Sequence, residues 1–200
     1  MISQSDNTAA DQLLYFLGRK NVENMLAITG HSNPALDIPF LSTFDMFRLK
    51  YQPGLQAAHE YLSKTGEERR ELLNRVVSQI SKDSLTIINH PLYIDSIEWF
   101  ASPQDLCNVM NWLRLNSLNG SGAEVRDILS INPGLMFSAK SWKYIGYKGG
   151  SEPGVINLTF LLQSVKGDWY ILSAGWNDTQ SPVTESKFVR LMGKAIQLLE

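Results

Sequence analysis

The chain has 200 residues, 44% hydrophobic and 19% charged, enough for a sizeable core and close to average globular composition. Its formal charge of -2, with acidic and basic residues interspersed, offers no footprint for nucleic acid or an anionic membrane surface. Cys107 is the only cysteine, which excludes an intrachain disulfide, and the three histidines, His31, His59 and His90, lack ligand spacing, so no metal site is expected.

Met1 leads into polar Ser3, Gln4, Ser5 and Asp6 instead of a signal-peptide core, and no apolar run approaches the ~20 residues of a membrane span. Ser5 reads as the N-cap of a first helix carrying Ala9, Ala10, Leu13, Leu14 and Leu17, with Gly18 as its stop. A second helix is expected from about Asn21 to Thr29, closed by Gly30, followed by an ordered loop from His31 to Leu41. Ser42 or Thr43 caps a helix ending before Pro53. Thr65-Gly66-Glu67-Glu68 is a capping box opening a charged helix with Leu72, Val76 and Ile80 on one face. Ser102-Pro103 starts another helix, with Leu106, Val109, Met110 and Leu113 on one stripe.

After about Tyr144 the character changes. Val155 to Val165 and Trp169 to Trp176, rich in β-branched and aromatic residues around Lys166-Gly167-Asp168, predict a β-hairpin. Thr184 caps a last helix, with Phe188, Leu191, Met192, Ala195, Ile196 and Leu199 facing the sheet. Helices first and antiparallel strands later predict an α+β fold in one domain, mainly helical over 1–143 and strand-hairpin-helix over 144–200.

Two segments carry chemistry. Ser5-Asp6-Asn7 sets a hydroxyl and a carboxamide at the rigid start of a helix, although it is also ordinary capping sequence. Lys148-Gly149-Gly150-Ser151 sets an ammonium beside two glycines that let a ligand approach the backbone, although a solvated turn has the same composition.

In chain order, Ser5-Asp6-Asn7-Thr8-Ala9-Ala10, Ser102-Pro103-Gln104-Asp105-Leu106 and Tyr147-Lys148-Gly149-Gly150-Ser151 resemble the Ser-Asp-Asn helix, the Thr-Pro-x-Asp helix start and the Lys-Thr-Gly strand of class A β-lactamases. The chain thus resembles the C-terminal two-thirds of a β-lactamase-like serine hydrolase, the family that includes penicillin-binding proteins. The resemblance implies a β-lactamase/transpeptidase-like fold with helices packed on an antiparallel sheet. Because Met1-Ile2-Ser3 directly precedes the first motif, it also implies a match beginning in mid-domain, with the N-terminal strands and nucleophile helix missing. Lys64-Thr65-Gly66 is a literal Lys-Thr-Gly, but it opens a helix, whereas the family's lysine projects from a sheet edge.

By the same resemblance, Ser5 relays a proton to the leaving nitrogen, Asn7 binds the substrate's side-chain amide, and Lys148 orients Ser5 and attracts the substrate carboxylate. Gly149 and Gly150 line the substrate strand, the Ser151 backbone N–H supplies one oxyanion donor, and Asp6 holds the turn. The implied chemistry is acyl transfer on a small-molecule amide or β-lactam-like substrate, without metal or organic cofactor. The family's Ser-x-x-Lys nucleophile is absent; Thr184-Glu185-Ser186-Lys187 has the spacing with threonine but caps the last helix. Asp37 is the only carboxylate on the 31–41 loop, where class A enzymes place a water-activating glutamate, and it reads as a turn residue.

Two functional readings stay open: a partial serine hydrolase, inactive by itself, and a catalytically dead module binding a peptidoglycan-like ligand. A plain α+β interaction domain is the third. The compartment stays open as well, since any export signal would lie in the missing part. Without the family's N-terminal strands, the segment 169–176 is expected to be an unpaired or foreign-paired edge prone to self-association. Tyr170, Ile171, Leu172 and Trp176 would then contribute to the surface.

Overall fold

The computed structural model describes residues 1–118, 122–138 and 140–200. Among them the fold is α+β, with eight α-helices and one three-stranded antiparallel sheet. Helix α1 (Asn7–Leu17) is capped by Asp6, whose Oδ1 accepts from Ala9 N at 2.9 Å. Asp6 therefore takes the capping role expected of Ser5. Ser5 instead lies one residue ahead of the cap with a left-handed φ of 50°.

Helix α2 (Arg19–Ile28) follows Gly18, whose φ of 83° supplies the sharp change of direction between the two helices. A 3-10 turn at Pro34–Asp37 lies in the predicted loop. Helix α3 (Thr43–Tyr51) opens with a capping box in which Ser42 Oγ accepts from Asp45 N and Asp45 Oδ2 accepts from Ser42 N. Helices α4 (Gln56–Leu62) and α5 (Gly66–Arg75) complete the first layer. The α5 helix stops before Val76, so the expected Leu72–Val76–Ile80 face does not form. At the β-branched pair Val76-Val77 the α-helix gives way to a 3-10 turn, Val77–Gln79, and Val77 turns into the core while Val76 stays exposed. A first core then gathers Leu49, Ala58, Tyr61, Leu73, Val77 and Ile97.

Helices α6 (Pro103–Asn116) and α7 (Ala123–Ser130) lie on one face of the sheet, whose strands are β1 (Trp142–Glu152), β2 (Val155–Ser164) and β3 (Trp169–Asn177) in the order β1-β2-β3. Helix α8 (Glu185–Gln197) covers the other face, where Phe188, Met192 and Ile196 pack on Ile156, Leu158, Phe160 and Leu162 of β2. Leu191, expected in this contact, is exposed, because the buried stripe of α8 is narrower than its apolar composition suggests. With both faces of β2 covered, the alternation of its burial is lost, and Leu161 is as buried as Phe160.

The last strand is paired to β2 along its length, from Gln163↔Trp169 to Val155↔Asn177, and among the described residues no strand pairs with its outer edge. Tyr170, Leu172 and Trp176 are half-buried against the α8 core, and Ile171 faces the α6 side, so they are not the open surface expected. The hairpin itself brings them between the helical layers.

An edge strand sends alternate N–H groups to its neighbour and outward. Hydrogen exchange on a monomeric sample should therefore show alternating slow and fast amides over 169–176. Uniform protection would show that the outer edge is covered, and its dependence on protein concentration would identify self-association.

Candidate functional site

A cleft about 970 Å³ in volume runs between the helical layer and the free edge of β1. Ser5, Asn7, Lys148, Gly149, Gly150 and Ser151 all line it. Across 143 positions of sequence, Lys148 Nζ donates to Ser5 Oγ at 2.9 Å. It also donates to the carbonyl of Gly149. Burial holds the Lys148 ammonium below the usual lysine range, since desolvation penalises the charged form.

The left-handed backbone at Ser5 costs about 1–3 kcal/mol and places its hydroxyl toward the lysine, ahead of the rigid first turn of α1. Asn7, the first residue of that helix, lines the same cleft. On β1, a side chain at Gly149 would collide with the Tyr147 hydroxyl and Leu158, whereas one at Gly150 would meet nothing within 4 Å. The first position is thus crowded by neighbouring side chains, while the second leaves the strand open toward the cleft.

The opposite end of the cleft holds residues that the motif reading missed. Lys50, at the end of α3, has a fully buried side chain whose Nζ donates to Glu98 and to Glu152 Oε1 and Oε2 at 2.8 and 3.0 Å. Glu98 and Glu152 both line the cleft. Two carboxylates facing one ammonium cannot both ionise at low cost, and desolvation together with the Glu152 contact raises Glu98 to about 8. The available signal was spacing: Met46, Leu49 and Lys50 follow i, i+3, i+4, which puts Lys50 on the buried face.

Helix α3 is therefore tied at both ends. At its start, Asp11 of α1 accepts from Thr43 N at 2.7 Å and Phe44 N at 3.0 Å, a cap supplied from another helix and aligned with the dipole. At its end, Lys50 holds Glu152, the last residue of β1. Ser5 lies just ahead of one of the elements so joined and Lys148 lies on the other. Asp37 lies outside this frame. It is buried, accepts from Phe100 N at 2.7 Å, lies 3.2 Å from His31 Nε2, and is raised to about 6 by desolvation. Asp105, in the α6 capping box, accepts from Ser32 N and Ser102 N and pins the 31–38 loop, and these bonds hold it down at about 2.

Among the described residues, no cluster of histidine, cysteine and carboxylate side chains is arranged to hold a metal ion. No helix is long and apolar enough to cross a membrane.

No protein-family model matches the sequence, and no curated protein matches it. Among solved structures, the chain is similar to a β-lactamase from Sphaerobacter thermophilus, with a TM-score of 0.49 and 18% identity over 90% of this chain. It spans about half of that protein, 52% of its length.

Because Glu98 keeps a proton when folded that it loses when unfolded, the free energy of unfolding should fall as pH rises from 4.5 to about 8. Asp37 contributes the same sign only between 3.8 and about 6. Denaturant titrations should therefore show Glu98→Gln flattening the profile above pH 6. Lys50→Met, which leaves the buried Glu98–Glu152 pair without its counter-charge, should cost about 3–5 kcal/mol at neutral pH. An unchanged slope in the first variant would remove Glu98 as the proton holder.

Proposed function

We propose that the cleft is the substrate-binding side of a β-lactamase-like acyl-transfer site. The observation that carries this reading is the Lys148–Ser5 hydrogen bond at 2.9 Å, made within one cleft that also holds Asn7, Gly149, Gly150 and Ser151. The ligand class is a small amide or β-lactam-like molecule bearing a carboxylate. Lys148 attracts that carboxylate and orients Ser5, Ser5 relays a proton to a leaving nitrogen, and Asn7 hydrogen-bonds the substrate amide. The depressed basicity of Lys148 supports the relay, because a lysine that releases its proton more readily can exchange it with a bound hydroxyl. The Ser151 backbone N–H is one oxyanion donor, and the open face at Gly150 lets the acyl group lie against the strand.

Acyl transfer also needs an attacking serine beside a base, and these 200 residues contain no Ser-x-x-Lys. The chain alone therefore binds without turnover, as a partial serine hydrolase. The same absence favours a second reading, a ligand-binding module without catalysis. An in-frame Ser-x-x-Lys encoded upstream of Met1 would support the first, and a stop codon there the second.

Nitrocefin should give neither a burst nor turnover. N-acetyl-D-alanyl-D-alanine should bind measurably by calorimetry, and Lys148→Ala should weaken it by tenfold or more, as expected for a charge-assisted bond of about 1.5–3 kcal/mol. An acyl adduct on any serine of this chain would overturn the inactivity. Equal affinity in the lysine variant would overturn the site.

A further inference from the structure

The cluster of Lys50, Glu98 and Glu152 sets two carboxyl groups against one ammonium, and its members come from three separate parts of the chain. Lys50 belongs to α3, Glu152 ends β1, and Glu98 lies in the stretch from Ile87 to Phe100, which contains no helix or strand.

Glu98 is the more weakly held of the two acids. Residues 87–98 bury Ile94 and Ile97, but their backbone bonds are local, from Ser96 N and Ile97 N to Tyr93 O. Among the described residues, the one polar bond that joins residues 87–98 to another element is the one Lys50 Nζ donates to Glu98 Oε1. Glu152, by contrast, accepts from Lys50 on both of its oxygens and is fixed by strand pairing opposite Val155.

The groups that face Glu98 are Lys50 and Tyr51 of α3 and Glu152 of β1. On its own segment, the Asp95 carboxylate accepts from Ser96 Oγ and His90 is exposed. One ammonium offsets one carboxylate, so the second carboxyl stays in the cluster as the acid, hydrogen-bonded to Glu152 instead of repelling it. The Glu98 side chain is 12% exposed and lines the cleft, which gives its proton a path to water. Trp99, next in the chain, shares this position: its backbone N–H donates to Glu98 Oε2 at 3.4 Å, its indole N–H donates to Leu41 O at 2.9 Å, and the residue lines the cleft 37% exposed.

We propose that the Glu98–Glu152 pair is a proton-operated latch on the wall of the cleft. With one proton between the two carboxyls, Glu98 is clamped to Lys50 and β1, and the wall is closed at that point. When the proton passes to solvent, two carboxylates face one ammonium. Glu152 keeps Lys50 through its two bonds, and Glu98 turns into the cleft and loosens the wall at Trp99. The latch is closed at neutral pH and opens in mildly alkaline solution, whatever ligand the cleft takes.

The test uses Trp99 of the full chain as reporter, its emission isolated by subtracting that of Trp99→Phe, with acrylamide quenching followed from about pH 6 to about pH 10. The Trp99 quenching constant should rise by about twofold or more in a one-proton transition centred near pH 8, while the helical circular dichroism stays constant. Glu98→Gln, whose amide keeps a hydrogen-bond donor but has no proton to lose, should hold the closed value throughout. In Glu152→Gln, freed of the like charge, the transition should move down by about one pH unit or more. A flat Trp99 profile in the unmodified chain, the same transition in Glu98→Gln, or an unmoved midpoint in Glu152→Gln would each overturn the latch. So would a Trp99 change that accompanies loss of the helical signal, since that is global unfolding. Either variant decides alone should the other not fold.

Discussion

The buried ammonium of Lys50 joins the two halves of the cleft. It reaches from the helical layer to Glu98 and to Glu152 at the end of β1, and its side chain is fully removed from water. Taking such charges out of water is expensive, so the arrangement persists only while all three groups stay together. Asp11 fixes the other end of the same helix to α1. A nine-residue helix is roughly 13 Å long, about the distance that separates Lys148 from Glu152 along β1. Helix α3 therefore works as a strut whose two attachments set the spacing between the Ser5 turn and the Lys148 strand.

The sheet complements this strut. Its central strand is covered on both faces, which makes it rigid, while β1 keeps one edge unpaired toward the cleft. Unpaired strand edges carry open backbone donors and acceptors, a liability when exposed and a recognition surface when recessed. Here the edge is recessed between α3, the 87–99 segment and the start of α8, whose Glu185 and Val189 also line the cleft. The Ser5–Lys148 bond and the Lys50 cluster lie four residues apart along the stretch of that edge that lines the cleft.

Local rules made much of the fold legible. The Ser42 and Ser102 capping boxes, the hairpin around Lys166-Gly167-Asp168 and the amphipathic last helix all depend on residues within a few positions of one another. Where two neighbouring residues could each satisfy a rule, the local reading chose wrongly. Ser5 and Asp6 are both capping residues, and only the backbone turn at Ser5 assigns the cap to Asp6 and sends the serine hydroxyl elsewhere. Likewise a helical pattern through Val76 gave no sign that Val77 would be the buried member of the pair.

By itself the sequence determined the α+β class, most helix starts, the hairpin, and the two short segments that hold Ser5, Asn7 and Lys148, because each is encoded in neighbouring residues. That Ser5 and Lys148 act together was expected only through the family resemblance, and the tertiary structure decided that they meet, that Lys50 is the partner of Glu98 and Glu152, and that Asp11 caps a helix 32 residues away. It likewise decided that Phe47, Ile87, Ile88 and Trp99 line the same cleft as Lys148. Those pairings span tens of residues or more, and no spacing rule reaches that far: a charge on an amphipathic helix signals that it needs a partner, but the packing of the chain chooses which one.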